Sequence, residues 1–133
     1  MEIFSPINFF IKHKKFQSIK FKKGFYYYVG TAQKNLKARI KRHLLKNKTL
    51  HWHIDYLTTL QHTEIKNIYV SENKNKTYEC LTIKTLLNIL NHPESVPNFG
   101  NSDCSNCKSH LLYSKKNIGK NIIDIFDFKK LFF

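Results

Sequence analysis

Three consecutive tyrosines, Tyr26 to Tyr28, run into Val29-Gly30, and an arginine and a histidine follow at Arg39 and His43. Arg39 and His43 are four residues apart, so on a helix they lie one above the other on the same face. A tyrosine-bearing strand followed by such a helix would bring hydroxyl, guanidinium and imidazole together. Those groups suit phosphodiester hydrolysis: a hydroxyl or imidazole orients or deprotonates water, and arginine neutralises charge growing on the phosphoryl oxygens. Arg39 and Arg42 are the only arginines in a chain otherwise rich in lysine, which suggests planar, bidentate contacts there. The competing reading is an aromatic core strand beside a solvated basic helix.

A second set of reactive residues is Cys104-x-x-Cys107-x-x-His110. Thiolates and imidazole at this spacing can wrap one tetrahedral Zn²⁺, and three ligands are one short of a closed site. Cys80 is the candidate fourth ligand. The alternative is a hydrogen-bonded loop with reduced cysteines, built on Ser102, Asp103 and His110. A third set is His51-Trp52-His53-Ile54-Asp55, where a His–Asp pair can form a proton relay or a second metal site. The commoner outcome places Trp52, Ile54 and Leu57 in the core with their polar neighbours hydrogen-bonded.

Positioning these groups requires a strand, a helix and a folded-back loop. Ile7–Ile11 and Phe16–Phe21 read as two strands around a turn at 13–15, and Phe25–Gly30 as the strongest strand, giving three antiparallel strands. The apolar period then changes. Leu36, Ile40 and Leu44 predict a helix over 33–47 with Thr31 as N-cap. Ile65–Ser71 predicts a strand and 73–76 a turn. Thr77 caps a second helix over 78–91 with Ile83, Leu87 and Leu90 inward and His92-Pro93 as its stop. Residues 97–110 read as a loop, and 111–133 as one or two strands or a packed tail.

The chain has 133 residues, enough for one core, and the whole is expected to form a single domain. No apolar run is long enough to span a membrane. The N-terminus lacks the features of a secretory signal, and three cysteines fit a poor disulfide framework, so a cytoplasmic location is expected. Lys+Arg number 23 against 9 Asp+Glu, a formal charge of +14. Thirteen of those cations lie between Lys12 and Lys48, where there is no carboxylate. That polarity favours nucleic acid as the partner and an anionic membrane surface second. Lys22, Lys23, Lys34, Lys37, Lys41 and Arg42 are the candidates to grip its backbone.

Tyr28-Val29-Gly30, Arg39-Ile40 and His43 resemble the second half of the GIY-YIG nuclease motif. The wider blocks Gly24–Ala32, His51-Trp-His-Ile-Asp-Tyr-Leu57, Glu79-Cys80 and Phe99–Leu111 are similar to one prokaryotic branch of that superfamily, marked by HWHID and SDCxxCxSHL motifs. The resemblance covers about residues 5–113 and leaves 114–133 as a C-terminal extension. It implies an α+β fold, with a small central three-stranded antiparallel sheet flanked by helices and a Cys/His loop. It implies an endonuclease acting on DNA, with RNA a second substrate class. Tyr26 or Tyr28, Arg39 and His43 would be catalytic, and Glu79 would hold Mg²⁺ or Mn²⁺. His53 and Asp55 would lie near the cleft. The family's opening Gly-Ile-Tyr falls near Pro6–Phe10, where no tyrosine stands. A catalytically impaired nucleic-acid-binding module of the same fold is therefore the rival.

Overall fold

The computed structural model describes residues 1–133 except 33, 72–74, 101–103, 105, 127 and 132–133. The described elements run β1 (Glu2–Ser5), β2 (Gly24–Tyr28), α1 (Leu36–Leu44), α2 (Asp55–Thr58), β3 (Glu64–Val70), α3 (Thr77–Ile89), β4 (Glu94–Ser95), β5 (Leu111–Ser114), α4 (Gly119–Ile125) and β6 (Lys129–Leu131). The fold is α+β. Its strands form one antiparallel sheet in the order β4-β5-β2-β1-β3-β6, six strands rather than the three expected. No described helix is long and apolar enough to cross a membrane.

Strand alternation sends neighbouring side chains to opposite faces, and both faces are covered. Tyr26 pairs with Tyr113 in register and Tyr27 with Leu112. The first pair belongs to a core built with Ile3, Phe9, Ile11, Phe16, Phe21, Ile54, Leu57 and Phe99. The second belongs to a core built with Ile83 and Leu86 of α3 and Ile118 and Ile122 at α4. Burying one such large apolar side chain stabilises the fold by roughly 1.5–3 kcal/mol.

Ile7–Ile11 and Phe16–Phe21 are not strands. They belong to the connection between β1 and β2, which touches itself through one bridge: Phe9 and Phe21 exchange N–H···O bonds of 2.8 Å. Phe9, Ile11, Phe16 and Phe21 are nevertheless buried, because they cover the first face of the sheet. An apolar run signals burial, and its period alone does not separate a strand from a buried coil. The opening strand is instead Glu2–Ser5. Its fully buried Glu2 carboxylate accepts from Tyr27 Oη (2.8 Å) and Asn67 Nδ2 (2.7 Å), which supply the hydrogen bonds a buried carboxylate requires.

The helices also differ from their outlines. α1 starts at Asn35, held at φ 57°, and not at Thr31; no residue of α1 is buried, and Leu36 and Leu44 are exposed. At α3, Ile83 and Leu86 are buried, Leu87 and Leu90 are half-buried and pack on the same core, and Asn75 Oδ1 accepts from the Thr77 N–H (3.1 Å) at its start. The tail contributes β5, α4 and β6, with Phe126 and Phe128 packed on the second core.

Candidate active site and metal centre

The β2 strand ends at Tyr28, and the cleft lies beyond that end. Its backbone is fixed by Met1, whose amino group donates to Tyr28 O (2.7 Å) and whose carbonyl accepts from Tyr28 N (2.9 Å). Val29 N donates to His110 O (3.0 Å), which ties the strand end to the start of β5. The next two residues carry the site. Thr31 N donates to Glu79 Oε2 at 2.9 Å, and Thr31 O accepts from Arg39 Nη1 at 3.4 Å. One residue therefore connects a carboxylate from the first turn of α3 with a guanidinium from α1. Gly30 lies between these groups: a Cβ there would meet the Tyr28 ring at 3.4 Å and Glu79 Oε2 at 4.0 Å, ordinary contact distances. The resulting cleft, of about 680 Å³, is lined by Tyr28, Lys34, Arg39, His43 and Glu79 among others.

His43 stands between two rings, 6.2 Å from Tyr28 and 5.7 Å from Trp52 by centroid. Burial pushes its imidazole down to about 4, and nearby Lys48 acts in the same direction, so it is neutral at pH 7. Its buried Nδ1 has no hydrogen-bond partner among the described residues. Lys48 also closes the last turn of α1, donating to the carbonyls of Arg42 (3.0 Å) and His43 (2.9 Å). Tyr28 is affected in the opposite sense. Burial, then the Glu79 and Asp55 carboxylates, push its hydroxyl up to about 12 against the opposing pull of Arg39. At neutral pH the cleft thus presents an O–H donor, a neutral imidazole, a guanidinium and a carboxylate.

Several expected site residues do not line the cleft, among them His53 and Asp55, expected near it. The Tyr26 hydroxyl donates to Lys22 O (2.5 Å), and its ring is buried against Phe9 and Tyr113. Two residues earlier than Tyr28 on the same sheet face, it points into the core and not the cleft. Asp55 is fully buried, bound by both Arg42 guanidinium nitrogens (2.9 Å each) and by the backbone N–H groups of His51 and Trp52 (2.9 Å each). Arg42 is accordingly committed to Asp55 and to the Trp52 face (4.6 Å), not to a free binding surface. His53 Nδ1 accepts from Gly100 N (2.9 Å), so it supports the loop facing Tyr28. Lys22 pairs with Glu94 (3.1 Å) and, with Lys23, precedes β2 at the end opposite the cleft. Lys37 and Lys41 are exposed on α1. Trp52, expected in the core, is half-buried and also lies under Arg39 at 5.5 Å. Two cations gathered by one indole ring is a feature that an aromatic residue read by itself does not announce.

The Cys/His set comes together. The ligand atoms of Cys80, Cys104, Cys107 and His110 all lie within 4.8 Å of one another, a donor set able to hold a metal such as zinc. Cys80 and Cys107 are joined as a disulfide, which departs from the expectation of reduced cysteines. Gly100, at φ +74°, lets this loop approach the tyrosine: a Cβ there would sit 3.0 Å from Tyr28 Cε1. Ser102 and Asp103 lie outside the described residues.

Residues 3–130 match the family described as a domain of unknown function, DUF123. The chain belongs to that family. Comparison with curated proteins and with solved structures returned no match. The match takes in nearly the whole DUF123 chain, so the cleft residues from Tyr27 onward, the cysteine loop, β5, α4 and all but the last residue of β6 fall inside the family's span.

Proposed function

We propose that this DUF123 chain is a metal-dependent phosphodiesterase of the GIY-YIG type, cutting DNA, with RNA as a second substrate class. The observation that carries the reading is the meeting of Glu79 and Arg39 on the two sides of Thr31, in a cleft walled by Tyr28 and His43. Among the described residues the Glu79 carboxylate accepts one hydrogen bond, at Oε2, and the residue lines the cleft; its remaining oxygen lone pairs suit a hard cation. Mg²⁺ or Mn²⁺ held there would polarise a phosphoryl oxygen and lower the pKa of bound water. The protein's own groups do the rest. Neutral His43 accepts a proton from the attacking water. The Tyr28 O–H donates a hydrogen bond that orients that water. Arg39 balances charge on the phosphate, and Lys34, Lys37 and Lys41 hold the flanking backbone without reading bases.

The opening strand favours a second reading. β1 carries Glu2-Ile3-Phe4-Ser5 and offers no tyrosine hydroxyl, as a binding module that has lost turnover would. Cleavage of plasmid, branched and single-stranded substrates with Mg²⁺ or Mn²⁺ decides between them. Glu79→Gln is expected to stay folded and to lose activity by about 10²-fold or more, on the scale of removing one electrostatic stabiliser. Full activity in Glu79→Gln overturns the mechanism. Salt-sensitive binding with no turnover by wild type on any of the substrates establishes the binding module instead.

A further inference from the structure

We infer that Cys80, Cys104, Cys107 and His110 form a closed zinc centre that clamps the 97–110 loop onto the start of α3, and that the Cys80–Cys107 disulfide is the oxidised, metal-free state of the same centre. The inference does not depend on the hydrolytic reading above.

The geometry is that of a ligand sphere. Cys80 Sγ lies 3.3 Å from Cys104 Sγ and 3.7 Å from His110 Nε2. Tetrahedral zinc sets S···S edges at roughly 3.8 Å and S···N edges at roughly 3.5 Å, so the Cys80–His110 separation is already close to an edge and the Cys80–Cys104 pair needs only to widen by roughly 0.5 Å. The Cys80–Cys107 pair must also open, from a covalent bond to a ligand edge, within a set whose atoms all lie within 4.8 Å of one another. The histidine is aimed from outside the sphere. Its backbone is fixed by Phe99 O (2.8 Å) and Val29 N (3.0 Å), which holds Nε2 facing the Cys80 sulfur.

The donor set determines both the metal and its role. Three thiolates and an imidazole are soft ligands that select zinc over magnesium, and four protein ligands leave no open position for substrate. The centre is therefore structural, and distinct from the hard-oxygen site at Glu79 on the neighbouring residue. Cys80 comes from α3 and the other three ligands from the loop that leads into β5, 24 or more residues later. Cross-linking them fixes Gly100 against Tyr28 and Glu79 against Thr31.

Zinc and disulfide are mutually exclusive. With hydrogen peroxide as oxidant, the Cys80 and Cys107 thiolates lose two electrons and form an S–S bond. Zn²⁺ is released, and the peroxide O–O bond breaks, taking up two protons to give two waters. Cys104, the remaining thiol, stays free.

The test uses the full chain purified under reducing conditions. Elemental analysis is expected to give one zinc per chain. Cobalt substitution should show the intense d–d bands of a tetrahedral ion and sulfur-to-cobalt charge transfer. Cys104→Ser and His110→Ala should each weaken zinc binding by at least about 10-fold. Peroxide should release the zinc and leave a Cys80–Cys107 cross-link by peptide mass spectrometry. Folded, reduced wild type without zinc, or a cobalt spectrum lacking thiolate bands, overturns the centre whether or not the variants fold. Zinc retained after Cys80–Cys107 has formed overturns the exchange.

Discussion

Asp55 and Glu79 are both buried carboxylates in the first turn of a helix, and the protein surrounds them in opposite ways. Asp55 receives two guanidinium N–H bonds and two backbone N–H bonds, with Lys48 Nζ at 3.8 Å as a further cation. Burial would raise its pKa, but Arg42 and the Trp52 and His51 N–H groups hold it down to about 2. Glu79 has one backbone N–H among the described residues and a cleft beside it. A carboxylate whose lone pairs are filled by its own chain is a structural anchor, which here holds α1 to the 51–58 segment. One left under-coordinated at a cleft wall can accept something from outside. The contrast separates the acid that builds the site from the acid that would use it.

Removing the anchor should have the largest effect. Asp55→Ala leaves the Arg42 and Lys48 cations without their partner and is expected to cost about 3–5 kcal/mol in urea unfolding. Glu79→Gln should stay within about 1 kcal/mol of wild type, as a substitution away from a saturated network does. Equal losses would abolish the distinction between the two residues. The sign of the pH dependence follows from the depressed Asp55 pKa. Its stabilisation is fully present above its ordinary value of 3.8 and is lost as pH falls through about 2.

The second test concerns the groups facing Glu79. An ordinary histidine base would lose activity below about pH 6.5. His43, held near 4 by burial, stays neutral well below that, so the acid limb of kcat/KM should lie near pH 4. His43→Gln should lower kcat by about 10²-fold and remove that limb, with DNA affinity little changed. An acid limb at the ordinary histidine value would mean that the imidazole is solvated and the cleft less enclosed than its rings imply.

What was legible in the sequence was mostly local. Tyr28, Arg39 and His43 lie within one strand-loop-helix unit, so spacing alone brings them near each other. Cys104, Cys107 and His110 share a loop for the same reason. Glu79 is 48 residues from Thr31, and no periodicity links the two; it was found through resemblance to a family. The misreadings share one cause, that burial is decided by distant partners. Nothing near Glu2 in sequence announces its burial, because the groups that let it be buried, Tyr27 and Asn67, are 25 and 65 residues away. Asp55 and Arg42, read as cleft and surface residues, satisfy each other across 13 positions. Phe9 and Phe21 looked like strand residues because apolar character records that a side chain is covered, not by which backbone geometry it is delivered.

The smallest effect concerns the cations, which composition counted together and the structure divides. Lys34 lines the cleft beside Arg39. Lys22 sits before β2, a five-residue strand ending at the cleft, so roughly 13 Å or more of extended chain separates it from Tyr28. Its Nζ is paired with Glu94 at 3.1 Å, and it stands 5.6 Å over the Tyr113 ring. A cation that neutralises a phosphate releases a counterion, and each such contact contributes about 0.9 to the slope of log K against log salt. Lys34→Ala should therefore flatten the slope for duplex DNA by about 0.9. Lys22→Ala should leave it unchanged, because its charge is already paired with Glu94 at the end of β2 away from the cleft. Equal flattening by both substitutions would mean that DNA runs the length of β2, and that the cleft end is one part of a longer binding track.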